Sequence, residues 1–294
     1  IIAALRPKSP GLYVDATIGA GGHAQGILET SAPHGKLLGL DVDPRALELS
    51  HQRLSLFKDR IHLVHSSYTE LQKTLQTLGW DRVDGIVIDL GVSSMQIDTP
   101  ERGFSFQQDG PLDMRFDPTQ SISASDIVNG FSEVELADLI WRYGEERESR
   151  RIARVIVQNR PFHSTGELAS AISASLRHRP GTINPATRTF QALRIAVNRE
   201  LEGLEIFLPQ AVEVLAGGGR LAVISCHSLE DRIVKQFFRR ESRDCVCPPG
   251  QPVCTCGHKA SIIDLTRRPI TAEPEEIANN VRARSAKLRI VEKK

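Results

Sequence analysis

The feature that most limits the fold of this chain is the regular alternation of short apolar runs and helical patterns in residues 1–90. The runs at 12–16, 36–41, 61–65 and 85–90 predict strands, and the stretches at 24–29, 44–56 and 69–78 predict helices. Strands that alternate with helices form βαβ units with right-handed crossovers, and these build a parallel sheet. We therefore expect an α/β fold.

The alternation stops after Asp89 and returns late in the chain. Residues 98–119 have no period and predict a structured loop or lid, and helical patterns follow to about residue 215. A strand at 220–225 behind a glycine turn at 217–219, a helix at 229–240, and strands at 261–265 and 287–291 then resume the α/β pattern. We expect one α/β domain, residues 1–100 and 206–294, interrupted by a lid and helical insertion domain, residues 101–205.

Two helix starts in the insertion can be placed from local chemistry. Ser164 and Glu167 have the spacing of a capping box, and Asn184 with Pro185 supplies a cap and a first-turn proline. The second of these helices carries apolar residues at helical spacing, which predicts one buried face: Phe190, Leu193, Val197, Leu201 and Leu204.

The charges of the chain are divided unevenly between its halves. Residues 1–140 hold 11 Lys and Arg against 19 Asp and Glu (−8), whereas residues 141–294 hold 26 against 17 (+9). A basic second half suits a phosphate backbone, although solvated helix faces would give the same composition. No apolar run reaches the roughly 20 residues of a membrane span. We expect a cytoplasmic protein that does not enter a membrane.

Four of the five cysteines lie between Cys245 and Cys256, in two Cys-x-Cys pairs followed by His258. Their crowding is not that of a disulfide framework, which favours a reducing compartment. The composition resembles a zinc knuckle, but Cys-x-Cys is a less usual zinc spacing than Cys-x-x-Cys. The expectation is therefore that no metal is bound, with zinc, a redox-sensitive cluster and a plain loop left open.

The strongest local signal is the glycine-rich loop at residues 15–23, between the first strand and the first helix. Its glycines allow a tight turn and close approach of a ligand, and Asp41, at the end of the next strand, can accept hydrogen bonds from a ribose. Gly19-x-Gly21-x-x-Ala24 also satisfies the dinucleotide fingerprint, so NAD fits the pattern. Asp15 instead favours S-adenosylmethionine, because that cofactor has a cationic amino-acid end.

Asp89 ends the fourth strand, where ligands of open α/β sheets bind. We expect it to face the same crevice as Asp15 and Asp41, although a loop-capping role would also explain it.

Longer motifs resemble those of the MraW (RsmH) methyltransferases, and the resemblance runs nearly from end to end. The motifs lie at residues 15–23, 89–94 with Gln96, 101–106, 109–115, 143–147, 184–192, 225–232 and 282–289. Members of that family methylate the N4 amino group of a cytosine in small-subunit (16S) ribosomal RNA near the decoding centre, using S-adenosylmethionine. The resemblance implies a class I (Rossmann-like) methyltransferase sheet with a helical insertion. It also implies the ribosomal RNA or the 30S particle as partner and leaves a homodimer open.

Carried over by position, the resemblance implies a set of cofactor-binding residues. Gly21, Gly22 and His23 would hold the methionine end, Asp41 the ribose and Tyr68 the adenine, with Asp89 and Gln96 completing the pocket. Asp89 is also the candidate catalytic residue, with Ser93 and Ser94 left open, because no single catalytic base is evident from the sequence.

For RNA, the helix after Asn184 is the best candidate, because Thr187, Gln191, Arg194 and Asn198 form a polar stripe beside Arg188. Ser225 and His227 follow the fifth strand and are expected to border the substrate. The alternatives to a methyltransferase are an NAD-dependent dehydrogenase and a non-catalytic RNA-binding protein.

Overall fold

A computed structural model of the chain describes residues 1–176, 184–251 and 253–294. These residues form two compact units. The sheet unit comprises Ile1–Gly91 and Leu201–Lys294, and the insertion unit comprises Val92–Glu200. The insertion unit thus lies between the fourth and fifth strands in sequence. Its first boundary falls nine residues, and its second five residues, before the boundaries predicted from sequence.

The sheet unit is built on an eight-stranded sheet. Its strands are β1 Leu12–Asp15, β2 Lys36–Asp41, β3 Ile61–His65, β4 Val83–Asp89, β5 Leu215–Ser225, β6 Ile262–Asp264, β7 Ile270–Thr271 and β8 Lys287–Lys293. They are ordered β3-β2-β1-β4-β5-β8-β6, with β7 also paired to β8. Neighbours from β3 to β5 are parallel, whereas β8 runs antiparallel to β5 and β6. The predicted α/β fold is confirmed.

The helices alternate with these strands and fill the insertion. They are α1 Ile2–Leu5, α2 Gly22–Thr30, α3 Pro44–Arg53, α4 Leu71–Thr77, α5 Ser94–Ile97, α6 Ala124–Gly130, α7 Glu133–Gly144, α8 Ser149–Gln158, α9 Thr165–Ser175, α10 Ala186–Asn198, α11 Glu200–Val214, α12 Ser228–Glu241 and α13 Pro274–Asn279. Among these described helices, none has both the length and the apolar character needed to cross a membrane.

Helices cover both faces of the sheet because the central strands are apolar on both sides, as buried parallel strands are. On one face, strand residues such as Val14 and Ile86 share a core with Phe207 of α11 and Phe238 of α12. On the other face, Tyr13 and its neighbours pack with α1 and α2. The core therefore holds β1 and β4 rigidly and fixes the places where their carboxyl ends lie.

The insertion unit has its own apolar core, formed by α6 to α10 and the preceding loop. Capping boxes begin four of its described helices, including the predicted one in which Ser164 Oγ accepts from the Glu167 amide. The loop at residues 98–119 is tied into this unit, since Arg102 donates to the carbonyls of Arg115 and Phe116 at 2.9 Å. It is a structured loop whose Leu112 is buried in the unit's core.

Two local predictions are wrong. The helix expected to run from Asn184 past Leu204 ends at Asn198, because Arg199 adopts a left-handed conformation (φ 51°) and α11 starts afresh at Glu200. The glycines at 217–219 belong to β5, which begins earlier than expected. The register of β5 against β4 shifts at these glycines, because Val83 of β4 pairs with Leu215 whereas Gly85 pairs with Arg220. The glycines therefore form an irregular segment of the strand.

Candidate cofactor and active site

Three aspartates end three neighbouring parallel strands of the sheet unit. Asp15 ends β1, Asp41 ends β2 and Asp89 ends β4, and β1 lies between the other two strands. Asp15 is 1% exposed, while the side chain of Asp89 is 43% exposed. The predicted convergence of the carboxylates is therefore present in the fold, with one group buried and one open to an approaching molecule.

Asp15 is the most constrained of the three. Its Oδ1 accepts a hydrogen bond from the Thr17 amide at 3.3 Å, but no donor among the described residues reaches its buried Oδ2. Burial raises the pKa of Asp15 to about 7, against the opposing attraction of His23. A buried carboxylate oxygen without a hydrogen-bond donor costs folding free energy. The site therefore favours a ligand whose cationic group can donate to this oxygen.

Asp41 shapes the glycine loop from the neighbouring strand. Its Oδ2 accepts from the Gly19 amide and its Oδ1 accepts from the Asp43 amide, both at 2.9 Å. Burial raises the pKa of this carboxyl group as well. Because each carboxylate oxygen has two lone pairs, these backbone bonds leave capacity for the hydroxyls of a ribose.

The loop between β1 and α2 turns at two glycines with left-handed backbone, Gly19 (φ 51°) and Gly21 (φ 80°). Gly21 precedes α2, and a Cβ there would lie 3.0 Å from a methyl carbon of Leu54. Gly22 is the first residue of α2 and His23 the second. The turn thus leads from the end of β1 into α2, whose second residue, His23, lies 3.7 Å from the Asp89 carboxylate.

His23 and Asp89 form the accessible part of the site. His23 Nε2 lies 3.7 Å from Asp89 Oδ2, and contact with this carboxylate raises the pKa of the imidazole despite partial burial. The backbone amide of Asp89 donates to Thr17 Oγ1 at 2.8 Å, which joins the glycine loop to β4. Sequence reasoning missed Thr17, although its place inside the glycine loop was a usable signal.

Tyr68 begins the short turn that follows β3, so it lies beyond the carboxyl end of that strand. Its ring packs edge-on against Phe207 with centroids 5.5 Å apart. A Cβ on Gly203 would lie 2.9 Å from the Tyr68 hydroxyl oxygen, so the glycine makes room for the ring. These contacts hold the Tyr68 ring in one orientation. A ring that packs against a flat base needs such a fixed orientation.

These groups fit S-adenosylmethionine better than NAD. The orphaned Oδ2 of Asp15 suits an ammonium group, the glycine turn admits a close ligand, and Asp41 retains lone pairs for a ribose. NAD carries no ammonium group that could pair with the buried Asp15 carboxylate.

Comparison with known proteins agrees with this chemistry. A family model described as the MraW methylase family matches residues 1–294. The chain belongs to the MraW methylase family. It is therefore an S-adenosylmethionine-dependent methyltransferase, and both the dehydrogenase and the non-catalytic alternatives are set aside. The sheet order with antiparallel β8 is that of the class I, Rossmann-like enzymes.

Curated relatives carry a more specific name. Proteins called "Ribosomal RNA small subunit methyltransferase H" are 54% identical in Dehalococcoides mccartyi, over 96% of this chain and 81% of the relative, and 51% identical in Thermomicrobium roseum, over 98% and 90%. A crystal structure of an rRNA methylase from Streptococcus thermophilus aligns with 98% of this chain and 89% of its own, at 11% identity and a TM-score of 0.44.

The predicted polar stripe of this MraW methylase has a structural role that the sequence did not reveal. Asn198 donates to the Met114 carbonyl and accepts from the Phe116 amide, both at 2.7 Å, and Gln191 donates to the Tyr143 carbonyl at 3.1 Å. Gln191 and Asn198 are thus bonded to the backbone of α7 and of the structured loop, respectively. The stripe was predicted to meet RNA, with a plain solvent face as the alternative, and RNA contact by the stripe stays a prediction.

Arg194 and Arg188 differ in their surroundings. Arg194 makes a two-bonded ion pair with Glu200 at 2.8 and 2.9 Å, and the two side chains are 13% and 7% exposed. Arg188 lies 3.3 Å from Glu146 but its side chain is 55% exposed. Of the two arginines, Arg188 is therefore the one that can meet a phosphate.

Three other predicted site residues have local structural contacts. Gln96 is 6% exposed and its side-chain oxygen accepts from the Ser93 amide at 3.0 Å, in the capping box of α5. His227 forms the capping box of α12 with Glu230. Ser225 is 2% exposed and its hydroxyl donates to the Lys287 carbonyl. Ser225 is thus bonded to the neighbouring strand β8, and its expected place beside the substrate stays a prediction.

The raised pKa of Asp15 predicts a pH dependence of cofactor binding. Folding favours the neutral carboxyl, so this group lowers stability progressively as the pH rises from about 4 to about 7. A cationic ligand needs the charged form, so the affinity for S-adenosylmethionine should fall about tenfold between about pH 8 and about pH 6. Isothermal calorimetry across this range measures the effect.

Asp15→Asn is the matched variant for this measurement, because it keeps the shape and removes the titrating group. It should bind more weakly at pH 8 and show a flatter pH profile, and it should unfold at a higher temperature near pH 8 without ligand. His23→Gln controls for the neighbouring imidazole. A wild-type pH profile in Asp15→Asn would assign the titration to another group.

Proposed function

We propose that this methyltransferase modifies the N4 amino group of a cytosine in small-subunit ribosomal RNA near the decoding centre, acting in the cytoplasm on the RNA or the 30S particle. The observation that carries the proposal is the pairing of an end-to-end family match with an accessible carboxylate, Asp89, at the end of β4. The names of the relatives support ribosomal RNA, and the motif resemblance supports the N4 position.

The chemistry explains why an accessible carboxylate is needed. The lone pair of a cytosine amino group is delocalised into the ring, so the nitrogen is a weak nucleophile. S-adenosylmethionine supplies an electrophilic methyl group on a sulfonium. A carboxylate that accepts a hydrogen bond from the amino group holds the nitrogen in line for attack, and such positioning is worth roughly 7–11 kcal/mol in favourable cases.

Asp89 can fill this role in the sheet unit because its backbone is anchored and its side chain is open. Its amide donates to Thr17 Oγ1, and its side chain is 43% exposed beside His23. As the bond between nitrogen and the methyl carbon forms, the methyl–sulfur bond of the sulfonium breaks and its electron pair stays on sulfur, which leaves as a neutral thioether. Positive charge develops on the nitrogen, which then loses a proton. The Asp89 carboxylate stabilises that charge, and the adjacent imidazole offers a route by which the proton reaches solvent.

The product identifies the reaction. Small-subunit RNA and 30S particles are incubated with the enzyme and isotopically labelled S-adenosylmethionine, and the RNA is then digested to nucleosides and separated by mass spectrometry. We expect the label in N4-methylcytidine at one site. Label in another nucleoside, or at the ring carbon of cytidine, would contradict the proposed substrate atom.

Asp89→Asn separates catalysis from binding because it keeps the shape and removes the charge. An interaction made in the transition state lowers turnover without a matching loss of ground-state affinity. Single-turnover methylation at saturating cofactor should fall by at least about 10²-fold, the scale of one lost electrostatic stabiliser. Calorimetry should show a much smaller change in cofactor affinity. Recovery of the full rate at saturating cofactor would make Asp89 a binding residue only.

Arg188 and Arg194 form a matched pair for RNA binding. Arg188→Ala should weaken binding of small-subunit RNA and lower the slope of affinity against salt by about one unit, because one phosphate contact is lost. The exposed Arg188–Glu146 pair contributes at most about 1 kcal/mol, so stability should hardly change. Filter binding at several salt concentrations measures the slope.

Arg194→Ala should lower the stability of the protein and leave the salt dependence of RNA binding unchanged. It leaves Glu200 buried without its main ion pair, which typically costs about 3–5 kcal/mol, so the melting temperature should fall. The salt slope should remain that of the wild type in the fraction that stays folded. If Arg188→Ala left both affinity and slope unchanged, α10 would have no part in phosphate binding.

A further inference from the structure

The connection between α12 and β6, residues 242–261, is a long segment without an apolar core. It spans 20 residues between Glu241 and Ile262, and none of its described residues is buried. Loops of more than about 12–15 residues without secondary structure are uncommon in compact domains unless they are functional or disordered. Some other interaction must hold this segment in a defined shape.

We call residues 242–261 the cysteine loop. Hydrogen bonds join the two ends of this loop. The Ser261 amide donates to the Glu241 carbonyl at 2.9 Å, and the Ala260 amide donates to Asp244 Oδ1 at 3.2 Å. His258 Nε2 lies 3.1 Å from the Arg240 carbonyl oxygen at the end of α12. His258 is thus engaged at the base, and these contacts leave the outer part of the loop to be held by its cysteines.

Four cysteine sulfurs meet in that outer part. Successive Sγ–Sγ distances are 3.9 Å from Cys247 to Cys254, 3.5 Å from Cys254 to Cys256 and 3.9 Å from Cys256 to Cys245, and all four sulfurs lie within 4.8 Å of one another. These separations exceed the roughly 2.05 Å of a disulfide bond. All four cysteines are free thiols.

The separations match the edges of a small tetrahedron. With a Zn–S bond of about 2.3 Å, tetrahedral coordination places the sulfurs about 3.8 Å apart. A cage of four sulfurs with this geometry is typical of zinc or iron, and zinc is the ion most often held by such structural sites.

Backbone amides donate hydrogen bonds to two of the sulfurs. These bonds orient the sulfurs and so offset the strain that the short Cys-x-Cys spacing puts on tetrahedral binding. The Val246 amide donates to Cys256 Sγ at 3.5 Å and the Cys247 amide donates to Cys245 Sγ at 3.4 Å. Donors aimed at sulfur orient metal ligands and stabilise the thiolate form. The turn within the first pair therefore directs both of its sulfurs towards the second pair.

We propose that Cys245, Cys247, Cys254 and Cys256 bind one structural zinc ion, which fixes the cysteine loop in a region where no apolar core can do so. This inference replaces the sequence-based expectation that no metal is bound. It does not depend on the identity of the RNA substrate, because the site lies in a loop with no part in the proposed methyl transfer.

Metal content of the full-length wild-type protein tests the proposal directly. After expression in zinc-supplemented medium and gel filtration, elemental analysis by mass spectrometry should find about one zinc per chain. Replacement by cobalt should give a thiolate-to-cobalt charge-transfer band and the visible bands of a tetrahedral site. Cys245→Ser with Cys247→Ser should reduce the zinc content at least tenfold, whereas Cys226→Ser, a cysteine outside the cluster, should retain it.

Limited proteolysis adds a readout of the loop itself. Removal of zinc by a strong chelator should speed tryptic cleavage at Arg243 and Lys259 at least tenfold, and added zinc should restore protection. Wild-type protein with less than a tenth of a zinc per chain would overturn the proposal, whether its cysteines were free thiols or two disulfides. Iron in place of zinc would also overturn it. If the double variant aggregates, the wild-type metal content and the cobalt spectrum still decide.

Discussion

The burial of the Asp15 carboxylate at the end of β1 is the constraint on which the candidate site depends. A strand buried on both faces by α2 and α11 carries this group into the sheet, where desolvation raises its pKa to about 7. The Oδ2 atom then has no donor among the described residues. Folding can retain such a group only because the hydrophobic core around it is large, and ligand binding can recover part of its cost.

The two neighbouring aspartates, Asp41 and Asp89, have different contacts from Asp15 and from each other. Asp41 accepts hydrogen bonds from Gly19 and Asp43 and so holds the glycine loop open, while Asp89 remains accessible next to His23. The same residue type at the ends of three adjacent strands therefore has three different environments. Environment, rather than identity, separates a cofactor-binding carboxylate from one suited to act on a substrate.

Much of the sheet unit could be predicted from the sequence because its signals are local. Apolar runs bounded by glycine and polar residues specify strands, and parallel strands necessarily bring their carboxyl ends to one edge. The positions of Asp15, Asp41 and Asp89 followed from that rule alone. The sulfur cluster was visible as a pattern, but spacing could not tell whether four sulfurs would meet, since that depends on the fold of the whole loop.

The insertion unit was harder to predict because its polar residues have long-range partners. A polar stripe on a helix has the same pattern whether it faces water or another segment's backbone, as Asn198 does with the loop around Met114. The helix break at Arg199 carries no glycine or proline, so nothing in its local sequence marks it. The bond of the Ser225 hydroxyl to β8 could not be predicted either, because its partner Lys287 comes 62 residues later.

The candidate site depends on a buried Asp15 whose raised pKa falls when a cationic ligand pairs with it. Carbon-detected NMR of aspartate-labelled enzyme, with Asp15→Asn to assign the signal, titrates this carboxyl group directly. We predict a pKa near 7 for Asp15 in the ligand-free enzyme and a clear decrease when S-adenosylmethionine binds. An ordinary aspartate pKa in the free enzyme, or no change on binding, would contradict this prediction.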